Sequence, residues 1–232
     1  MISILIPIYN GIEFIDDSVK SVLCQTYKNW ELLIGINGHP KDSLVYQKAK
    51  EYEKLSNKIK VFDFDDIKGK SNTLNNMIKL CNYDYVALLD VDDIWHPQKL
   101  IVQTQLLNNY DVIGSNCVWF GNRTGVPHIP MGDISNIDFS IVNPIINSSS
   151  IIKKDLCYWN ENGIEDYDLW LRLRKNNKKF FNFKEILVKH RIHNESAFNS
   201  KGNNNKVDDL LIRHGFKSRK ERNKSFSFEL QF

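Results

Sequence analysis

The length, composition and charge of the chain are those of an ordinary globular protein. Its 232 residues are 42% hydrophobic and 25% charged, enough for one large domain or two small ones. The net charge of +3 is too small to indicate nucleic-acid binding, so no nucleic-acid partner is expected. The four cysteines lie far apart without a C-x-x-C pair, which excludes a zinc knuckle and fits isolated thiols in a reducing compartment.

No segment resembles a membrane span or a secretion signal. No apolar run approaches the roughly 20 residues that cross a bilayer. The opening MISILIPIYN lacks a basic n-region and a small-residue cleavage site, so it reads as a first strand. We therefore expect a cytoplasmic protein.

Strands alternate with helical stretches through the first half of the chain. Apolar runs predict strands over residues 2–8, 30–36, 59–64 and 83–90, and helices from Ile15, over 42–55, over 74–81 and from Pro97 to about Leu107. This alternation predicts a mostly parallel α/β sheet. Ligands bind beyond the carboxyl ends of such strands, where Asn10, Asn37 and the aspartates at 90–93 fall. We therefore expect these polar residues to converge on one edge of the sheet.

The alternation fades after about residue 108. Strands are predicted in DVIGSNCVWFG (111–121), SIIKKD (150–155) and FKEILVKHRIH (183–193), a loop over 121–132, and a helix in GIEDYDLWLRLRK (163–175). A linker is predicted from Asn199, followed by a basic helical segment over about 206–222. The surplus of positive charge lies in this last segment, which fits either a solvated helix face or a peripheral contact with an anionic membrane surface.

Three aspartates follow directly on an apolar run in LLDVDDI (88–94). Buried carboxylates are costly unless a cation offsets them. Asp90 and Asp92 are one residue apart, and two oxygen ligands so placed suit Mg²⁺ or Mn²⁺. The alternative is structural, because a D-x-D tripeptide is common and these residues precede the helix expected near Pro97. The tripeptide alone leaves both interpretations open.

Five segments in order resemble the family 2 glycosyltransferases, the inverting enzymes of the GT-A type. They are SILIPIYNGIEFIDDSVKSVLCQTYKNWELLIGINGH, ALLDVDDIWHPQKL, NPIINSSSIIKKD, GIEDYDLWLRL and VKHRIH. The resemblance covers residues 1–198 and implies a GT-A fold, a Rossmann-like, mostly parallel sheet flanked by helices with a smaller acceptor-side subregion. It implies one domain, with a nucleotide-sugar-binding half (1–107), an acceptor-binding half (108–198) and a basic C-terminal extension (199–232).

The resemblance also implies a nucleotide-sugar donor, a saccharide acceptor, Mn²⁺ or Mg²⁺, and a role for each matching residue. Pro7, Tyr9 and Asn10 would flank the base and ribose. Asp90 would face the ribose and the metal, and Asp92 would be the direct metal ligand. Asp166 would be the general base, with a helix N-cap as its alternative. His193 would complete the metal site or contact the diphosphate, unless it pairs with a surface acid. Asp93 is left to cap the helix near Pro97.

Some positions depart from the family pattern. Many relatives have Asp-Asp-Gly-Ser where this chain has Ile36-Asn37-Gly38-His39, so the base would meet an amide that can donate or accept. Lys70 stands in a segment where many relatives have an arginine, and Asn147 stands where histidine is frequent. These departures remove no catalytic group, so we expect an active enzyme with a UDP-linked donor, and they bear on its donor specificity.

Two other classes of function compete with this one. The first is a glycosyltransferase-like module that binds a nucleotide sugar or a glycan without catalysis, against which intact Asp92 and Asp166 argue. The second is a sugar-phosphate nucleotidyltransferase, which would carry a Gly-rich, Arg-containing loop after the first strand. This chain has Tyr9-Asn10-Gly11 there instead.

Overall fold

The computed structural model describes residues 1–161, 164–194 and 203–218, which form a mixed sheet with helices on both faces. The strands are β1 (Ile2–Ile8), β2 (Trp30–Asn37), β3 (Ile59–Phe64), β4 (Tyr85–Leu88), β5 (Ile94–Trp95), β6 (Val112–Gly121), β7 (Gly132–Asp133), β8 (Ile151–Lys153) and β9 (Phe180–Ile192). The helices are α1 (Ile15–Leu23), α2 (Leu44–Glu51), α3 (Lys70–Leu80), α4 (Lys99–Gln103), α5 (Glu165–Lys175) and α6 (Asn203–Arg213).

The predicted parallel sheet is confirmed in the first half of the chain. The strand order is β3-β2-β1-β4-β8-β6-β9-β5, with β7 paired to β9. The pairs among β3, β2, β1 and β4 are all parallel, whereas β8 is antiparallel to both β4 and β6. The carboxyl ends of the first four strands therefore open on one edge, as the sequence predicted.

Two apolar layers cover the two faces of the sheet. Alternate side chains of β1 point to opposite faces, which is why Ile4 packs in one layer and Leu5 in the other. The first layer contains apolar residues of α1 and α2, and the second contains those of α3, α5 and α6. Because both faces are covered, β1 and β2 need nearly continuous apolar sequence, as they have.

The C-terminal segment differs from the prediction in two ways. The expected helix over 206–222 is α6, which begins at Asn203, inside the predicted linker, and ends at Arg213; residues 219–222 lie outside the described ranges. The helix is also not simply a solvated basic face, because Leu210 and Leu211 are fully buried in the second apolar layer. The prediction rests on the charged residues of this segment and overlooks these two apolar ones.

The helix expected from Pro97 to Leu107 is shorter than predicted. Regular α-helix covers only Lys99–Gln103, and a 3-10 turn continues to Leu106. None of the helices in the described ranges combines the length and the apolar character of a bilayer-spanning helix.

A methyl group at Gly35, in the middle of β2, should destabilise the fold. A Cβ atom there would lie 2.5 Å from the Met77 sulfur and 3.1 Å from the Phe64 ring, both in the core. We expect Gly35→Ala to lower the free energy of unfolding by about 1–3 kcal/mol, measured by urea denaturation. Met77→Val in the same background should recover part of the loss, giving a non-additive double-mutant cycle. An unchanged midpoint for Gly35→Ala would contradict this packing.

Candidate active site

A cavity of about 580 Å³ opens at the carboxyl ends of β1, β2 and β4. Its walls contain the residues that the sequence predicted for the donor and the metal: Pro7, Tyr9, Asn10, Asn37, Lys70, Asp90, Asp92 and His193. Glu13, His39, Thr73 and His190 also line it. The expected convergence of polar residues is therefore a feature of the structure.

Two glycines allow the loops of this cavity to approach one another. Gly11 has φ 90°, and a Cβ there would lie 2.9 Å from a methyl group of Val91 in the loop after β4. Gly38 has φ 68°, and its Cβ would lie 2.6 Å from the Tyr9 ring. Both positions require glycine for conformation and for space. As a result the Tyr9 ring lies over the cavity while remaining 61% exposed.

Asp90 is held in place by donors from two other elements. Its carboxylate accepts hydrogen bonds from Lys70 Nζ at 2.8 Å, from Asn147 Nδ2 at 3.1 Å and from the Ser148 hydroxyl at 3.3 Å. Burial opposes its ionisation, but the Lys70 charge and these hydrogen bonds outweigh burial and lower the pKa of Asp90. Asp90 is therefore an ionised group of fixed orientation at the cavity wall.

Asp92 and His193 lie together in the cavity wall. Asp92 Oδ2 is 3.0 Å from His193 Nε2. Burial and then the charges of Asp93 and Asp90 raise the pKa of Asp92 to about 6. A carboxylate crowded by like charges beside an imidazole fits a divalent cation, which would relieve that repulsion. Within the described residues no three His, Cys, Asp or Glu side chains form a complete metal site, so substrate oxygens or water would supply the other ligands.

Asp93 does not cap the following helix, and the prediction that it does is wrong. The residue before α4 is Gln98, and no side chain caps it. Asp93 is instead fully buried against β9, where it accepts a hydrogen bond from the Arg191 N–H at 2.8 Å and pairs with His190 Nδ1 at 2.9 Å. It therefore ties β9 to the loop after β4.

His190 is a cavity residue that the sequence reasoning missed. Burial alone would lower its pKa, but the hydrogen bond and charge of Asp93, with the charges of Asp90 and Asp92, outweigh burial and raise the pKa to about 9. His190 is therefore protonated at neutral pH. Its pairing with Asp93 spans 97 residues of sequence, so no local pattern signalled it.

Asp166 lies in the first turn of α5, beside Glu165. Its Oδ1 accepts the Tyr167 N–H at 2.7 Å, and its Oδ2 accepts Asn143 Nδ2 at 3.2 Å. Burial and then the charge of Glu165 raise the pKa of Asp166 to about 6. The residue before the helix is Ile164, so Asp166 is not the N-cap residue.

Lys70 connects the start of α5 to the D-x-D loop. Its Nζ lies 2.8 Å from Asp90 and 3.1 Å from Glu165. Burial opposes its charge, but these two carboxylates outweigh burial and raise the pKa of Lys70 well above the ordinary value. The Lys70 ammonium group therefore bridges the helix that carries Asp166 and the loop that carries Asp90 and Asp92.

Comparison with known proteins agrees with the geometry. Residues 3–203 match the model of the family described as glycosyl transferase family 2. The chain belongs to this family.

Two Escherichia coli proteins illustrate the relationship within the family. O-antigen biosynthesis glycosyltransferase WbnJ is 30% identical over 210 residues, covering 85% of this chain and 82% of WbnJ. UDP-Glc:alpha-D-GlcNAc-diphosphoundecaprenol beta-1,3-glucosyltransferase WfgD is 28% identical over 212 residues, covering 87% of this chain and 81% of WfgD.

Solved structures confirm the GT-A fold. S. aureus TarS 1-349 in complex with UDP-GlcNAc superposes with a TM-score of 0.72 at 16% identity, covering 91% of this chain and 65% of that one. Mannosyltransferase PcManGT from Pyrobaculum calidifontis in complex with GDP-Man and Mn²⁺ gives 0.69 at 12% identity, covering 92% of this chain and 62% of that one. This family 2 chain thus spans less than two thirds of either solved chain.

The His190–Asp93 pair should make stability depend on pH. The folded-state pKa of about 9 lies above the ordinary 6.5, so the stabilisation is complete below about pH 6.5 and is lost as the pH rises through 9. His190→Gln should therefore lower the free energy of unfolding by on the order of 3 kcal/mol at pH 6 and by much less at pH 9.5. Urea denaturation in chelating buffer measures this, with exposed His128→Gln as the control. An equal difference at both pH values would contradict the ion pair.

Proposed function

We propose that this glycosyltransferase is metal-dependent and moves a sugar from a nucleoside-diphosphate donor, UDP-linked, to an acceptor hydroxyl with inversion. The observation that carries the proposal is one cavity lined by Asp90, Asp92, His193 and Lys70, in which Lys70 also pairs with Glu165, the neighbour of Asp166. The biological setting we propose is glycan or polysaccharide synthesis, with a saccharide acceptor. WbnJ, whose name places it in O-antigen biosynthesis, supports that setting.

The charges at the cavity suit a diphosphate leaving group. Sugar transfer expels a nucleoside diphosphate, so positive charge is needed where negative charge develops. Lys70 and protonated His190 supply fixed positive charge on the cavity wall. Asp92 and His193 would hold Mn²⁺ or Mg²⁺, which when bound supplies further positive charge to the diphosphate. That Asp90 also ligates the cation stays a prediction. Its carboxylate oxygens already accept hydrogen bonds from Lys70 and Asn147.

Asp166 is suited to act as the general base. A catalytic base works best when its pKa lies near the operating pH, and burial beside Glu165 raises the pKa of Asp166 to about 6. Asn143 and the Tyr167 N–H fix the orientation of its carboxylate. It would take the proton of the acceptor hydroxyl as that oxygen attacks the anomeric carbon opposite the leaving diphosphate. One displacement of this kind inverts the anomeric configuration.

The amide of Asn37 favours a base that presents an N–H group. Its Nδ2 donates to the backbone carbonyls of Phe64, at 3.2 Å, and of Ile67, which uses both amide hydrogens. No protein group in the described ranges donates to its Oδ1, which leaves an acceptor in the cavity wall. Asn37 thus offers the base what a carboxylate would offer, an oxygen that can accept from uracil N3–H. The UDP-GlcNAc bound to TarS and the UDP-Glc in the name of WfgD are consistent with this choice.

A membrane contact of the basic tail and a cytoplasmic location remain proposals. Most of the basic residues concerned lie at 219–232, outside the described ranges. In the described part of the tail, Arg213 and Lys217 are exposed near the exposed apolar residues Ile212 and Phe216, which suits an anionic lipid surface.

Two substitutions separate catalysis from donor binding. Asp92→Ala should abolish cation-dependent binding of UDP-sugar. Asp166→Asn should keep that binding and lower kcat by about 10²–10⁴-fold, because only the base is lost. The assay is a nucleotide-sugar screen with Mn²⁺ or Mg²⁺ that reads release of nucleoside diphosphate, alongside calorimetric donor binding. Asp84→Asn, exposed just before β4 and outside the cavity, is the control.

The outcomes of this screen distinguish the competing functions. Near-normal transfer by Asp166→Asn would overturn the general-base assignment. Donor binding without transfer by the wild-type chain, to any saccharide acceptor, would favour the binding module.

Asn37 should set the preference for the base. The wild-type chain should bind UDP more tightly than CDP, because cytosine presents a ring nitrogen acceptor, N3, where uracil presents N3–H. Asn37→Ala should lower that preference by about tenfold, the worth of one good hydrogen bond. Calorimetry with both nucleotides at a fixed Mn²⁺ concentration measures the ratio. Equal affinity of the wild-type chain for UDP and CDP would contradict the role of Oδ1.

A further inference from the structure

Helix α6, the last helix in the described ranges, contributes to the same apolar layer as α5, the helix that carries Asp166. Leu210 and Leu211 are fully buried in the apolar layer that also contains Leu169 and Leu173 of α5. All but the first residue of α6 lies beyond residues 3–203, the part of the chain that matches the family model. The apolar layer that covers α5 therefore includes a segment beyond the part of the chain that matches the family model.

Asp168 is the polar centre of this contact. Its Oδ2 accepts hydrogen bonds from Arg172 Nε and Asn160 Nδ2, both at 2.8 Å, and its Oδ1 pairs with His214 Nε2 at 2.9 Å. The Asp168 and His214 side chains are each only 12% exposed. Three donors from three parts of the chain thus meet on one nearly buried carboxylate, which makes the arrangement rigid and costly to break.

Asp168 lies in α5, two residues after Asp166, and connects this helix to the chain before it. Its carboxylate accepts a hydrogen bond from Asn160, whose carbonyl in turn accepts the Ser71 hydroxyl at 2.9 Å. Ser71 follows Lys70, the residue that contacts Glu165. Asp168 therefore joins α3, the segment before α5 and α6 around the turn from which Asp166 projects.

We propose that His214 is a positioning residue for the general base, acting through Asp168. His214 forms a hydrogen bond with Asp168 and orients it, and Asp168 holds the first turn of α5 so that Asp166 meets the acceptor hydroxyl. A misplacement of about 1 Å can cost on the order of 10²-fold in rate. Residues 203–218 are thus a working part of the catalytic domain. The inference rests on the proposed function, in which Asp166 is the base.

The test compares His214→Ala and His214→Gln in the full chain. His214→Ala should lower kcat about ten- to a hundredfold and leave KM and the dissociation constant for the donor within about twofold, because the donor cavity does not contain His214. His214→Gln, which keeps a donor near the Nε2 position, should restore kcat to within about threefold of wild type. His128→Ala, an exposed histidine outside the cavity, is the matched control.

Hydrogen exchange supplies a readout that does not depend on activity. In His214→Ala the amides of the first turn of α5 should exchange faster, while those of β1 should keep wild-type rates. Wild-type kcat and wild-type exchange in His214→Ala would overturn the proposal. Equal acceleration in β1 and α5, or a parallel loss of donor binding, would also overturn it, since it would show general destabilisation. An inactive wild-type chain with faster α5 exchange only in His214→Ala would instead count against the proposed function and leave His214 as the brace of α5.

Discussion

Repulsion among the three carboxylates at the end of β4 is the constraint around which the site is arranged. Asp90, Asp92 and Asp93 leave a buried strand within four residues, and each pairs with a basic side chain from elsewhere in the chain. Lys70 of α3 pairs with Asp90, and His190 of β9 pairs with Asp93. Asp92 pairs with His193, but burial and then the charges of Asp93 and Asp90 raise its pKa to about 6. The residue least satisfied by the protein is therefore the one best placed to attract a cation.

The same constraint explains why distant parts of the chain meet at this edge. Strand β9 pairs with β6 and β5 and reaches the loop after β4, where its His190 pairs with Asp93. Lys70 of α3 pairs with both Asp90 and Glu165, so it holds α3 and α5 together. The pairing of the acids and the position of α5, which carries Asp166, are thus parts of one arrangement.

The first half of the fold followed from sequence, and the reasons are local. Strands β1 and β2 are covered on both faces and carry continuous apolar runs, and α1 and α3 carry apolar residues at helical spacing. The convergence of Asn10, Asn37 and Asp92 followed from the geometry of parallel strands. What local pattern cannot give is a partner chosen by tertiary structure. Asp93 was assigned to a helix near Pro97, whereas its partner His190 is 97 residues away. The sequence shows that residue 37 is an asparagine. It does not show that the side-chain amide of Asn37 donates to the carbonyls of Phe64 and Ile67.

Asp166, the proposed general base, must be held rigidly to act on an acceptor hydroxyl. Residue Asp166 combines a carboxylate whose pKa is raised to about 6 with a place in the first turn of a helix, where backbone groups have few partners. A raised pKa alone would leave such a base free to move, and movement lowers its efficiency. Two sets of contacts limit that movement: Asn143 and the Tyr167 N–H on the carboxylate, and Lys70 on the neighbouring Glu165. Asp168 with its three donors fixes the next part of the same turn. Burial raises the pKa of Asp166, and these contacts fix the orientation of its carboxylate. Substitutions of the contacting residues can therefore change the rate without changing the affinity for the donor.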